Sequence, residues 1–353
     1  MSRRDQPFEK PGVSDLDAER LASWLHSHIE GFDTLRHVDK FSGGQSNPTY
    51  RLQDAHRSYV LRRKPFGSLL PSAHAVEREF QLISALSPTG FPVPRPYALC
   101  DDATVIGSPF YVMEMVVGRT FWDGGLPEQS PDARREIYQS MIATLAALHC
   151  IRPDDVGLAT YGPPGNYFER QVRRWTKQYR AAETVRVPEI ENLIAWLPST
   201  VPTQERISII HGDYRIDNLI YAVDSNEVAA VLDWELSTLG DPLADFAYLA
   251  MNWAMPAHDR PSQLLGLDLA TLGIPDLDEA TRQYCEATER TGLPNLNWYF
   301  AYNLFRLAGI VQGIKKRVLD GNASSADAAD VASRVTPLAR QAWEFARQAG
   351  AKA

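Results

Sequence analysis

Asp213, Asn218 and Asp233 are the residues whose types and spacing could do chemistry. The first two lie in His211-Gly212-Asp213-Tyr214-Arg215-Ile216-Asp217-Asn218, and the third opens Asp233-Trp234-Glu235. Short apolar runs frame them: 207–210 before the first stretch, 219–222 after it, and 228–232 leading into Asp233. Each run reads as a buried strand, and strand ends converging on a loop would aim the three side chains at one volume. One carboxylate could take a proton from a hydroxyl. The other two groups could hold a hard cation such as Mg²⁺, which prefers carboxylate and carbonyl oxygen.

A chain of 353 residues can bury a large core and form two domains. With 44% hydrophobic and 23% charged residues and no low-complexity tract, it reads as an ordinary globular protein. Its formal net charge of −8 argues against nucleic acid as a partner and requires a local basic site for any anionic ligand. Cys100, Cys150 and Cys285 are far apart and show no metal-ligand spacing, which favours a reducing compartment. The first residues lack an apolar signal core, and the apolar stretch 298–311 is interrupted by Asn303 and Arg306 and is too short to span a bilayer. No membrane partner is expected, and the expected location is cytoplasmic.

The elements that must position the three residues follow from periodicity. Ser14 reads as the cap of a helix with Leu21, Trp24, Leu25, His28 and Ile29 on one face. Strands follow between residues 35 and 65. Phe41-Ser42-Gly43-Gly44-Gln45-Ser46-Asn47-Pro48 joins two of them; its small residues would let backbone N–H groups approach an anion, or simply make a hairpin turn. The next helix, from Pro71-Ser72 to about Leu86, has Val76, Phe80 and Ile83 as its stripe, with Glu79 on that stripe and Glu77 pointing to solvent. A carboxylate on a buried face is costly unless paired, and Arg62, at the end of Val60-Leu61-Arg62, is its natural partner. The alternative is a surface arginine among Arg62, Arg63 and Lys64.

Residues 91–96 read as an extended connection, and Val105-Ile106 and 110–113 as strands, before the pattern breaks at Glu114-Met115-Val116-Val117-Gly118. Ser130-Pro131 caps a helix through His149, where the histidine reads as a packing or capping residue. A helix at about 166–180 carries Arg170, Arg173, Arg174 and Lys177 on one face, either solvated or placed for an acidic ligand. Another is expected around 188–196. Asp241 reads as a cap and Asp245 as an inward-facing residue of the helix after it. Helices are expected at about 277–291, 296–318 and 325–349, with Trp298, Tyr299, Phe300, Tyr302 and Phe305 mostly core.

The spacing H-x-D-x-x-x-x-N with a later Asp resembles a kinase catalytic loop and its metal-binding Asp. As His-Gly-Asp it is similar to the aminoglycoside phosphotransferase and choline kinase superfamily. Residues 41–47, 59–65 and 232–242 look like the branch found as the phosphotransferase domain fused to acyl-CoA dehydrogenases, and the resemblance covers roughly 38–310. It implies an α+β, protein-kinase-like bilobal fold. Residues 1–116 would form a nucleotide-binding lobe of antiparallel sheet plus helix. Residues 117–353 would form a mainly helical lobe with the catalytic loop and acceptor site.

The cofactors implied are ATP and Mg²⁺. Asp213 would accept or orient the hydroxyl proton, and Asn218 and Asp233 would hold Mg²⁺. Arg62, held by Glu79, would grip the α/β-phosphates; Arg is permanently charged and suits phosphate. Ser46 and Asn47 would approach the phosphates, and Glu114 and Met115 would sit at an interlobe hinge that reads adenine. Arg215 would reach the γ-phosphate or simply face solvent, and Asp245 would hold the loop backbone, with His211 supporting the loop. Glu235 is placed to add a ligand or touch substrate. The acceptor implied is a small hydroxyl compound, a hydroxyacyl-CoA in this branch, with the basic face at 170–177 suiting the CoA phosphates. Two other readings stand beside it: a kinase for choline, an aminoglycoside or a hydroxy-amino acid, whose cationic acceptors need an acidic, aromatic pocket, and a non-catalytic nucleotide-binding module of an acyl-CoA pathway.

Overall fold

The computed structural model describes residues 16–41, 47–66, 75–256, 261–321 and 328–352. In chain order its strands are β1 (His37–Lys40), β2 (Thr49–Gln53), β3 (Ser58–Arg63), β4 (Pro96–Cys100), β5 (Phe110–Glu114), β6 (Ser208–Ile210), β7 (Leu219–Tyr221), β8 (Val228–Val231) and β9 (Thr238–Gly240). Its helices are α1 (Ala18–His28), α2 (Val76–Leu86), α3 (Pro131–Cys150), α4 (Tyr167–Ala182), α5 (Pro188–Trp196), α6 (Leu243–Ala254), α7 (Leu269–Leu272), α8 (Leu277–Ala287), α9 (Asn297–Leu319), α10 (Ala328–Ser333) and α11 (Val335–Gln348). The architecture is α+β and kinase-like: an antiparallel sheet comes first and a mainly helical part follows.

Two compact units emerge. The first comprises the described residues up to Phe121 with Val156–Leu158 and Asp217–Ser237; the second comprises Trp122–Asp155, Ala159–Ile216 and the residues from Thr238 onward. The first unit is built on an antiparallel sheet in the order β1-β2-β3-β5-β4. Leu21 and Leu25 of α1 join Leu52, Leu61 and Val112 of that sheet in one apolar cluster, so the first helix packs where its stripe predicts. Its cap is Asp17, whose side chain accepts from Arg20 N–H, and the expected cap Ser14 lies outside the described residues. Pro71-Ser72, the expected start of α2, lies outside them too.

Two strand expectations are corrected. Residues 91–95 form a connection as expected, but the strand after them, β4, was not foreseen; it starts at Pro96 on the sheet edge, where Pro96 forfeits no ladder bond. Val105-Ile106 is a turn and not a strand: Asp102 Oδ1 accepts from Thr104 N–H at 2.8 Å and Asp102 O from Val105 N–H at 3.3 Å, a local closure that competes with the ladder.

In the second unit Ser130 accepts from Ala133 N–H and caps α3 as expected. The continuous helix expected at 325–349 is instead two, with a break at Arg334 between α10 and α11. α6 begins where Asp241 Oδ1 accepts from Leu243 N–H at 2.9 Å, the capping role expected of it. Burial pushes the Asp241 carboxyl up to about 6, against the opposing pull of the Leu243 N–H. An acid with a raised folded pKa binds more protons folded than unfolded, so its contribution to stability falls as pH rises from 3.8 to about 6 and is level above that. Asp241→Asn keeps the acceptor oxygen and removes the ionisation. Its melting temperature is expected to exceed the wild type's at about pH 8, with the gap closing toward about pH 4 in scanning calorimetry.

Candidate active site

In the first unit Arg62 and Glu79 meet as their sequence positions demand. Strand alternation sends Arg63 to the opposite face, where it is buried and donates to Tyr50 Oη at 3.0 Å. Arg62 faces α2, with Nε 3.1 Å from Glu79 Oε2 in an ionic contact outside hydrogen-bond geometry. Glu79 is only 2% exposed, and Asn47 Nδ2 and Tyr111 Oη donate to it at 3.0 and 3.2 Å. Burial pushes its carboxyl up to about 7; Arg62 opposes this, and the nearby Asp233 and Glu235 reinforce it. Asn47 and Tyr111 thus secure the carboxylate that secures Arg62. Glu77 is not simply solvated, because it pairs with Lys64 at 2.5 Å.

Arg62 also reaches the expected metal-binding residues. Its Nη2 donates to Asp233 Oδ1 at 2.7 Å and to Glu235 Oε2 at 3.4 Å. Asp233 and Asn218 are neighbours because β7 and β8 pair antiparallel, Leu219 opposite Val231, and Leu232 N–H donates to Asn218 O at 2.9 Å. Asn218 precedes β7 and Asp233 follows β8, so both stand at one end of the hairpin. Asp233 adopts a left-handed backbone, φ 65° and ψ 60°, a conformation that Asp tolerates better than most residues and that stores strain at functional sites. Among the described residues no cluster of three or more His, Cys, Asp or Glu side chains is set to hold a metal. A carboxylate and a carboxamide oxygen still fit Mg²⁺, which commonly takes one or two protein ligands and completes its shell with phosphate oxygens and water.

These residues line a cavity of about 330 Å³. Arg62, Asn218 and Asp233 supply its polar part, and Val60, Met113, Ile220 and Val231 are among its apolar walls. Its size lies within the range of small-molecule sites. Glu114 and Met115 both line it, and the Glu114 carboxylate accepts from Arg95 N–H at 3.2 Å. Just beyond, Arg119 and Tyr221 exchange backbone hydrogen bonds at 2.8 Å, which docks this segment on β7. Gly118 permits the approach: a Cβ there would lie 2.3 Å from Tyr221 O. Ser46 lies outside the described residues, and Asn47 is placed against Glu79.

The loop that starts at His211 belongs to the second unit as far as Ile216. Asp245, fully buried on α6, accepts from His211 N–H at 2.6 Å and Gly212 N–H at 2.8 Å, the backbone-holding role expected of it. Burial alone would raise its carboxyl, but hydrogen bonds and charge from His149, His211 and Gly212 outweigh burial and the net direction is down. His149 stands behind it, with Nε2 at 3.5 Å from Asp245 and Nδ1 at 2.7 Å from Tyr284 Oη; burial lowers its pKa, against the opposing pull of Asp245. Gly212 turns the loop at φ 87°, left-handed backbone that suits glycine. His211 Nδ1 accepts from Asp213 N–H at 3.2 Å, so the imidazole supports the loop. Asp213 Oδ2 lies 3.2 Å from Arg215 Nε, an internal ion pair within the loop.

Three loop partners had no assigned role in the sequence reading. Tyr214 Oη donates to Met141 O at 2.8 Å and anchors the loop on α3. Tyr248 of α6 donates to the Asp213 carboxylate. Arg306 Nη2 of α9 donates to Gly212 O at 2.9 Å. Arg306 carries a usable signal: it is the charge within the apolar stretch 298–311, the same pattern that identified Glu79. The basic face of α4 is partly committed, since Arg170 donates to the Pro164 and Gly165 carbonyls and Arg173 pairs with Glu169 at 3.0 Å. Arg174 and Lys177 are exposed.

Comparison with known proteins extends this geometry. The profile of the phosphotransferase enzyme family (APH) matches residues 37–281. Acyl-CoA dehydrogenase family member 10 of Mus musculus is 46% identical over 348 residues, 98% of this chain and 32% of that protein. Family member 11 of Homo sapiens is 40% identical over 339 residues, 94% of this chain and 43% of that protein. The chain therefore spans less than half the length of these curated relatives. A crystal structure from Ralstonia eutropha JMP134, provisionally assigned as an aminoglycoside phosphotransferase, is 46% identical with a TM-score of 0.86, covering 94% of this chain and 99% of that one. Spectinomycin phosphotransferase, solved with ADP and spectinomycin, shares the fold at a TM-score of 0.62 and 12% identity, covering 94% of this chain and 99% of that one. Among the described residues no helix is long and apolar enough to cross a membrane. With the profile spanning most of its length, the chain belongs to the phosphotransferase enzyme family.

Proposed function

We propose that the chain is an ATP- and Mg²⁺-dependent small-molecule kinase that phosphorylates a hydroxyl group, with hydroxyacyl-CoA as the acceptor class. The observation that carries this is Arg62, fixed by the buried Glu79 and held against Asp233 where the apolar cavity becomes polar. That cavity suits a nucleotide: apolar walls for a base, and a guanidinium for α/β-phosphates. Asn218 and Asp233 would hold Mg²⁺, which when bound neutralises charge on the phosphates. Asp213 accepts the proton of the acceptor hydroxyl, Arg215 serves the γ-phosphate, and Glu114 and Met115 border the base. Asn47 acts behind Arg62, and Ser46 on the phosphates. The nucleotide part is the expected 1–116 carried on to Phe121, with 156–158 and 217–237 added; the remainder carries the base and the acceptor site.

The nucleotides in related crystal structures, ADP with spectinomycin phosphotransferase and AMP-PNP with the phosphotransferase APH(4)-Ia, support the donor. The acyl-CoA dehydrogenase names of the relatives support the acceptor class. Three free cysteines favour a cytoplasmic setting. The test is an ATP-consumption screen across hydroxyacyl-CoAs, amino alcohols and aminoglycosides, with and without Mg²⁺. Mg²⁺-dependent ADP release on a hydroxyacyl-CoA above the other classes is expected. Nucleotide binding without turnover on any acceptor would replace the kinase reading with a binding module.

A further inference from the structure

The proposal concerns Arg306 and rests on the kinase reading. Arg306 is largely enclosed, though part of its surface stays open. One edge is fixed, because Nη2 donates to the carbonyl of Gly212, the residue before Asp213, at 2.9 Å. Its planar head lies over the rings of Trp175 at 5.8 Å and Tyr248 at 5.5 Å. Tyr248 is also the donor to Asp213, so one residue braces both the backbone beside the base and the ring that orients it.

The surroundings of Arg306 are rich in donors. A guanidinium carries five N–H groups, and the Gly212 carbonyl takes one of those bonds. Trp175 Nε1 and the hydroxyl of Tyr302, a residue 1% exposed, are buried and meet each other, the indole N–H toward the Tyr302 oxygen, which leaves the Tyr302 O–H as a donor. Charge leans the same way. Tyr248 senses Asp213 against both Arg306 and Arg215, and Tyr302 senses Arg306 and Arg174. The buried carboxylate nearby, Asp245, is already bound to the loop N–H groups.

A place with surplus donors and positive charge fits a ligand that brings acceptor oxygens. An ammonium-bearing acceptor brings more donors and the opposing sign. We propose that Arg306 determines acceptor specificity: its remaining N–H donors hold a carboxylate or carbonyl oxygen of the molecule whose hydroxyl meets Asp213, and the same charge disfavours cationic acceptors. A hydroxy acid and its CoA thioester share this chemistry.

The experiment compares wild type, Arg306→Lys and Arg306→Gln on a hydroxy acid, its CoA thioester and an amino alcohol. Melting curves check folding, and Mg-ATP binding is titrated separately. Arg306→Gln is expected to raise KM for the oxygen-bearing acceptors by about 10–100-fold, more than it lowers kcat, the scale of one charge-assisted hydrogen bond. It should also narrow the preference over the amino alcohol, with partial rescue by Lys. The arm that responds more, free acid or thioester, identifies the oxygen source. An equal fall in kcat on every acceptor with KM unchanged would overturn the proposal and leave Arg306 a loop brace. If the wild type binds Mg-ATP and phosphorylates none of these compounds, the kinase reading fails. The inference is then read from direct acceptor titrations, where binding that Arg306→Gln leaves unchanged, or no binding of the oxygen-bearing compounds, overturns it.

Discussion

Asp213→Asn is expected to lower kcat by about 10²–10⁴-fold, the usual contribution of a general base, while Mg-ATP affinity stays close to wild type. The separation is the informative part. Asp213 belongs to the second unit with Arg215, Tyr248 and the Asp245-held loop, whereas the cavity proposed for the nucleotide is lined by the first unit. Asn is nearly isosteric, its amide can still accept from Tyr248, and the backbone bond from Asp213 N–H to His211 Nδ1 does not depend on the side chain. What is lost is the ability to take a proton. Steady-state kinetics beside isothermal titration with ATP would show it. Retained turnover would remove Asp213 from the proposed role, and a large fall in affinity would mean that the substitution disturbs more than proton transfer.

Glu79→Ala is expected to reduce both stability and nucleotide affinity. The carboxylate is 2% exposed and engages Arg62, Asn47 and Tyr111 together. Deleting it strands two buried donors and leaves Arg62 to Asp233 and Glu235 alone. Breaking a buried pair by removing one partner costs about 3–5 kcal/mol. Denaturant unfolding would read that loss. ATP titration of the folded fraction should show weaker binding, because Arg62 would no longer be held at the cavity. Glu79→Gln, which keeps the shape and an acceptor, should lose less stability than the alanine variant. Wild-type stability in Glu79→Ala would mean that the pair contributes nothing to the fold.

Much of this was legible in residue types. Glu79 announced itself as a charge on a helix stripe, and the cost of burying it pointed to Arg62 before any geometry was known. Asp241 and Asp245 sorted into cap and inward residue because one precedes the helix and the other shares a face with Leu249. The runs around Asn218 and Asp233 showed the two strands whose paired ends make those residues neighbours. The rest depended on long-range choices that local patterns do not carry. β4 begins at a proline because it is an edge strand, and edge status is a property of the whole sheet. Val105-Ile106 has strand-forming residues, but Asp102 closes a turn beneath them. The grouping of 217–237 with the first unit follows from the docking of β7 on Arg119, which depends on Gly118 lacking a side chain. Tyr248 approaches Asp213 from α6 with no local pattern to mark it, whereas Arg306 on α9 was visible as a charge in an apolar stretch. The helix expected at 325–349 breaks at Arg334 because Pro337 has no N–H for the Ser333 carbonyl and its ring crowds the turn before it, a local signal that the sequence reading passed over.

The central claim is that this chain moves a phosphoryl group from a nucleotide to a hydroxyl through Asp213. ³¹P NMR of the full chain with Mg-ATP and a hydroxyacyl-CoA tests it most directly. The account predicts a new phosphomonoester resonance on the acceptor, growing in step with ADP, absent without Mg²⁺ and nearly absent in Asp213→Asn. Inorganic phosphate as the only product, or an equal phosphomonoester signal from Asp213→Asn, would contradict it.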